Sequence, residues 1–113
     1  MMETIKISFD SIAETSHPQF KGGEKELLAH MFFDGTNRIM KGKLVPGASI
    51  GMHTHDAGCE VIFITAGQGC VVMDGVRQAL SAGDCHYCPK GHAHSLINNS
   101  AADLEFLAVV AAQ

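Results

Sequence analysis

The sequence is poor in charge, and poorest in positive charge. Lys and Arg number 8 against 12 Asp and Glu, the net charge is -4 with histidines neutral, and charged residues make up only 18% of the 113. The basic residues are scattered from Lys6 to Lys90, which excludes the basic stripe that nucleic-acid binding requires. No apolar run approaches the roughly 20 residues needed to cross a bilayer, so no membrane partner is expected. The amino terminus, MMETIKISFD, has neither a charged leader region nor a long apolar stretch and does not read as a signal peptide. These absences predict a soluble, cytoplasmic protein. A chain of 113 residues suits one domain, and its 46% hydrophobic content predicts a packed core.

A paired thiol clasp is also missing. Cys85 and Cys88 spell C-x-x-C, but no second such pair exists among Cys59, Cys70, Cys85 and Cys88. The segment DCHYCP reads as a strand, where side chains three apart face opposite sides. Without secretion a disulfide framework is not expected, and the four are read as buried, reduced cysteines acting as small hydrophobes.

Long helical periodicity is absent as well; Lys25 to Phe32 alone admits a helical reading. What is present is strand and turn. ELLAHMFF (Glu26 to Phe33) and TNRIMKGKLV flank Asp34-Gly35, and GCVVM and VRQAL flank Asp74-Gly75. An Asp-Gly pair between two apolar runs is a strong hairpin signal. EVIFITA, DCHYC, HSLIN and LEFLAVVAA read as further strands, punctuated by glycine, Pro89 or Asn98-Asn99. Short strands at such spacing indicate an antiparallel sandwich or barrel. On the strand Asn37 to Val45, Arg38, Met40, Gly42 and Leu44 share one face, and its apolar character turns it inward. Arg38 is then either a charge at the edge of the interior or an arginine snorkelling to water from a strand end.

Seven histidines are many for this length. His17 reads as a solvated loop residue and His30 as a structural residue on a strand. The remaining five, His53, His55, His86, His92 and His94, all lie between positions 53 and 94. His53 and His55 are two apart, so on a strand both imidazoles project from one face and reach a common cation. Glu60 begins the next strand beyond the connection DAGC and can return to the same side. A fourth ligand has to come from a distant strand.

The stretch GASIGMHTHDAGCEVIFITAG, Gly47 to Gly67, reads G, five residues, H-x-H, four residues, E, six residues, G. The stretch GDCHYCPKGHAHSLIN, Gly83 to Asn98, reads G, five residues, P-x-G, two residues, H, three residues, N. Separated by fifteen residues, Gln68 to Ala82, the two resemble the paired motifs of the cupin superfamily, with every spacing kept. The resemblance implies an all-β, single-domain jelly-roll barrel (a double-stranded β-helix) with its motif residues in the mouth. It implies a cupin barrel over residues 31–113. Before it lies an N-terminal arm, residues 1–30, with a short strand signalled by IKISF and a candidate part in a homodimer interface. It also implies that His53, His55, Glu60 and His94 bind one divalent metal.

Three imidazoles and a carboxylate suit Mn, Fe, Co, Ni, Cu or Zn, and four protein ligands leave open positions on an octahedral ion, as catalysis requires. Glu60 is the candidate catalytic residue, either as a permanent ligand or as a base that swings away. Arg38 is a candidate anchor for a substrate carboxylate. Tyr87, the one tyrosine, and His92 are candidate substrate contacts, each with a plainer reading: a tyrosine packed at the barrel edge, a histidine exposed in a turn. Of the adjacent His86 and Tyr87, at most one faces the pocket. The expected function is that of a metal-dependent enzyme acting on a small carboxylate or carbonyl metabolite: a dioxygenase, decarboxylase, isomerase or lyase. The alternative is a non-catalytic cupin module that binds or senses a small molecule.

Overall fold

The structure, a computed structural model, describes residues 5–113. Ten strands account for most of it: β1 (Thr15–Pro18), β2 (Glu26–Phe33), β3 (Arg38–Leu44), β4 (His53–Thr54), β5 (Gly58–Ala66), β6 (Gln68–Met73), β7 (Val76–Ser81), β8 (Cys85–Cys88), β9 (Ala93–Ile97) and β10 (Leu104–Ala112). All pair antiparallel, in a six-stranded sheet ordered β1-β2-β3-β10-β5-β8 and a four-stranded sheet ordered β4-β9-β6-β7. The two sheets enclose one core in a jelly roll, as the sequence predicts. The segment Lys25 to Phe32, which admitted a helix, is strand for all but its first residue.

The hairpins form where local chemistry demands them. Between β2 and β3, the Asp34 carboxylate accepts from the backbone N–H of Thr36 and Asn37. This closes an Asx-type turn. Between β6 and β7, Asp74 and Gly75 both take positive φ, 52° and 79°, the geometry of a tight hairpin turn whose twist matches its strands. Gly67 turns the chain from one sheet to the other. Its φ is +83°, and a Cβ there would stand 2.3 Å from the Asp103 carbonyl, so neither the conformation nor the space admits a side chain.

The core lies between the sheets. Leu27, Met40, Leu44, Ile62, Ile64, Leu104 and Phe106 come from the large sheet and Val71, Leu80 and Leu96 from the small one. Phe106 is fully buried and sits opposite Gly42 in register. A Cβ on Gly42 would lie 2.5 Å from the ring, so the missing side chain makes room for the largest core residue. Asn98 ties the loops beneath: its amide nitrogen donates to the carbonyls of Leu44 and Ala102, and its Oδ1 accepts from the Ser100 N–H.

Three local expectations change. The strand expected at Ile5 to Phe9 is not formed; residues 5–8 are irregular and Phe9–Ser11 make a 3₁₀ turn. His17 lies in β1 rather than in a loop, because β1 is an edge strand that pairs with β2 alone, and an edge tolerates Pro18 at its end. Cys85 is exposed, whereas Cys59, Cys70 and Cys88 are buried, all four being free thiols. Strand alternation sends Cys85 and Cys88 to opposite faces of β8, so they cannot both be core.

Candidate metal centre

Four side chains converge where β4, β5 and β9 meet. His53 and His94 are direct partners in the β4–β9 register. His55 follows β4, and its backbone stays paired, donating to the His92 carbonyl and accepting from the Gly91 N–H. Glu60 points inward from β5 between the two sheets. One ligand atom from each of His53, His55, Glu60 and His94 lies within 4.8 Å of the other three. Glu60 Oε1 is 2.8 Å from His94 Nε2, 3.1 Å from His55 Nε2 and 3.8 Å from His53 Nε2. The Nε2 atoms of His55 and His94 are 2.9 Å apart.

The surroundings hold the rings in place. Glu60 and His94 are buried, 4% and 1% exposed, and His53 and His55 are nearly so. His53 Nδ1 lies 2.7 Å from the Gly51 carbonyl. A carbonyl only accepts, so Nδ1 carries the proton and Nε2 keeps a lone pair for the centre. Burial pushes the Glu60 carboxyl up, but the close approach of the His53, His55 and His94 rings outweighs it and holds the carboxyl well below the usual range. An ionised carboxylate facing three ring nitrogens is a donor set that can hold a divalent transition ion, and on this count the residues fit one.

Beside the cluster opens a cavity of about 160 Å³, lined by Phe20, Lys21, Arg38, Met40, Ile50, His53, Thr54, His55, Glu60 and Val110. It is smaller than a pocket for a drug-sized ligand and matches a metabolite of few heavy atoms. Arg38 reaches it, and its guanidinium carbon sits 5.1 Å from the centroid of the Phe33 ring, a cation–π contact that steadies the side chain. The inward reading of the Arg38 face is matched by the burial of Met40, Gly42 and Leu44 on the same side.

Tyr87 and His92 are not brought to this cavity. Tyr87 is 52% exposed on the outer face of the large sheet, with Val61 as its register partner. His92 precedes β9, and its Nδ1 pairs with Asp74 at the surface. His86, the inward member of its pair, is buried, and its Nε2 lies 2.9 Å from His94 Nδ1. Burial, then the neighbouring His94, pushes the His86 imidazole below its ordinary range, against the opposing pull of Glu60, which keeps it neutral near pH 7. Cys88 lies opposite Glu60 in register, and burial followed by that carboxylate pushes its thiol up to about 11.

Phe20 and Lys21 carry no signal of their own in the sequence. They belong to a segment far from the motifs, and they reach the mouth because two glycines let backbones touch. A Cβ on Gly23 would lie 2.1 Å from the Ser49 carbonyl, and one on Gly51 2.0 Å from that of Lys21. The two glycines are visible in the chain, but nothing local says that they face each other.

Comparison with known proteins agrees with this geometry. The family model for the cupin domain matches residues 40–110. A Thermotoga maritima protein named an oxalate-binding protein is 33% identical over 96 residues, covering 80% of this chain and 79% of that protein. Among solved structures, one from Thermotoga maritima described as a predicted oxalate decarboxylase superposes with a TM-score of 0.89 at 28% identity, covering 96% of this chain and all of the other. A sugar phosphate isomerase of the cupin superfamily from Silicibacter pomeroyi superposes with a TM-score of 0.76 at 23% identity, over 96% of this chain and 76% of that one. At that identity the likeness concerns the fold alone.

Proposed function

The chain belongs to the cupin domain family, and on that premise we propose that His53, His55, Glu60 and His94 hold one divalent transition metal and that the adjoining cavity takes a small dicarboxylate of the oxalate class. The observation that carries this reading is the convergence of those four ligand atoms beside a small cavity that Arg38 also lines. When bound, the ion supplies Lewis acidity and open positions for a carboxylate oxygen.

The chain's own residues do the rest. Arg38 offers a planar fork of donors that matches a carboxylate bidentately, so it takes the end of the substrate farther from Glu60. Lys21 adds positive charge at the rim. Phe20, Met40, Ile50 and Val110 give the cavity apolar walls that exclude water and strengthen those charge contacts. Glu60 is the one acid among the lining residues; it anchors the centre and is the candidate base.

For a decarboxylase, hydrogen oxalate breaks its C–C bond to give carbon dioxide and formate, with the proton retained on formate. That matches the name of one relative. The other relative is called an oxalate-binding protein, which favours a second reading, a module that binds the same anion without turnover. Metal-loaded protein incubated with oxalate decides between them. Formate and carbon dioxide that disappear in Glu60→Gln, with the metal content of the variant measured alongside, support the enzyme. Binding by calorimetry without product supports the module, and neither binding nor product refutes both.

The same reading makes the protein a cytoplasmic homodimer. Four free thiols suit a reducing compartment. Phe32, Ile39, Val109, Val61 and Tyr87 form one register row across the large sheet, on the face away from the core. A second copy laid against that row would cover its apolar surface. Light scattering of the wild type and of Val109→Asp tests this: a dimer that dissociates in the variant supports it, and a wild-type monomer overturns it.

A further inference from the structure

The three imidazoles of the cluster are not held alike. His53 has its Nδ1 against a backbone carbonyl, a partner that can only accept. His94 has its Nδ1 against another imidazole, that of His86, at 2.9 Å, while its Nε2 faces Glu60 at 2.8 Å. A neutral imidazole carries one proton. To offer Nε2 to a metal, His94 must carry that proton on Nδ1, and the group beside Nδ1 must then accept it. We infer that His86 is the positioning residue of the metal centre, accepting the Nδ1 proton of His94 and so holding that ring with its Nε2 lone pair free for the ion that Glu60 would share. This rests on the metal reading above and goes beyond it, since it assigns a role to a residue that contacts no ligand position itself.

The fold explains why His86 can serve. It sits on the inner face of β8, the edge strand of the large sheet, opposite Ile62 in register. His94 sits on β9 of the small sheet, so the pair bridges the two sheets. Both rings are buried, His86 7% and His94 1% exposed, and their centroids are 5.2 Å apart with planes tilted by 30°. As an acceptor at Nε2, His86 must keep its own proton on Nδ1. A cleft of about 470 Å³ between β7 and β8, lined by His86 together with Gln78 and Asp84, supplies a polar environment next to that ring.

A merely structural role, two buried imidazoles satisfying each other, predicts something different, and substitution separates the two. His86→Phe keeps a planar ring and removes the acceptor; His86→Gln restores an acceptor oxygen. Zinc affinity is read by competition with a chromophoric chelator, the cobalt(II) visible spectrum reports ligand geometry, and thermal unfolding is followed on the metal-free proteins. His86→Phe should lose roughly 10–100-fold in zinc affinity, the usual cost of an outer hydrogen-bond partner of a ligating histidine, with an altered cobalt spectrum. His86→Gln should recover most of that affinity. Wild-type affinity and spectrum in His86→Phe would overturn the assignment, as would equal losses in both variants tracking their loss of thermal stability. Wild type that binds no zinc would overturn the metal reading and the role of His86 with it.

Should His86→Phe fail to fold, nitrogen–proton correlation spectra of the zinc-loaded wild type answer the same question. Both His86 and His94 should carry their protons on Nδ1. A proton on His86 Nε2 would refute the assignment.

Discussion

Arg38 and Glu60 stand in one row of the six-stranded sheet, with Val110 of β10 alone between them. Neighbouring strands are about 4.8 Å apart, so the two α-carbons are about 10 Å apart, on the face that lines the cavity. A guanidinium and a metal-facing carboxylate at that separation bracket a space suited to a molecule with a carboxylate at each end. The pairing of charge in the site therefore follows from sheet register, not from any nearness in the chain.

Arg38→Ala should therefore weaken oxalate binding while leaving the metal in place. A hydrogen bond to a charged group contributes about 1.5–3 kcal/mol, or roughly 10–100-fold in affinity. Calorimetry with oxalate on metal-loaded wild type and variant, beside elemental analysis of both, measures the two effects separately. Unchanged oxalate affinity would remove Arg38 from the site.

Acid should strip the metal. An ion competes with protons for the ring nitrogens of its imidazole ligands, so affinity should fall as the solution is made more acid. Glu60 does not contribute to that loss, because its carboxyl is held below its ordinary value of 4.5. For the metal-free fold the sign is the same as for any depressed carboxyl: the stability it lends is fully present above about 4.5 and is lost as pH falls from there towards the folded value. A chelator titration across pH 5 to 8 checks the first point. Acid unfolding of metal-free wild type against Glu60→Gln checks the second, the variant being the less pH-dependent.

Asn98, the last residue of the second motif, is expected to be structural. Fully buried, it donates to the Leu44 and Ala102 carbonyls. Asn98→Ala would leave those acceptors short of a partner at a cost of about 1–3 kcal/mol, seen as a lower midpoint in urea. The zinc affinity of the folded variant should match wild type; a selective loss of metal would instead place Asn98 in the site.

How much of this could be read from the chain depends on whether the cause was local. The Asp34-Gly35 and Asp74-Gly75 turns are set by their own residues, and β2 and β10 run over Glu26–Phe33 and Leu104–Ala112 as their apolar runs indicate. The ligand cluster was legible because H-x-H spacing and two gapped motifs constrain it tightly. The side of β8 that faces inward was not: Cys-His-Tyr-Cys offers no hydrophobic contrast, and only the pairing of Glu60 with Cys88 turns His86 towards His94 and Tyr87 away. His92 was a candidate because it is two residues from His94, yet β9 begins at Ala93, and outside the strand its ring follows Asp74. Phe20 and Lys21 depend on a contact between Gly23 and Gly51 that no local pattern announces.

The central claim is that His53, His55, Glu60 and His94 hold a metal, and elemental analysis of untagged wild type beside His94→Ala after gel filtration tests it most directly. About one transition-metal ion per chain in the wild type and little in the variant is the predicted result. Wild-type protein that stays free of metal after reconstitution with manganese, iron, cobalt, nickel, copper and zinc in turn would contradict it.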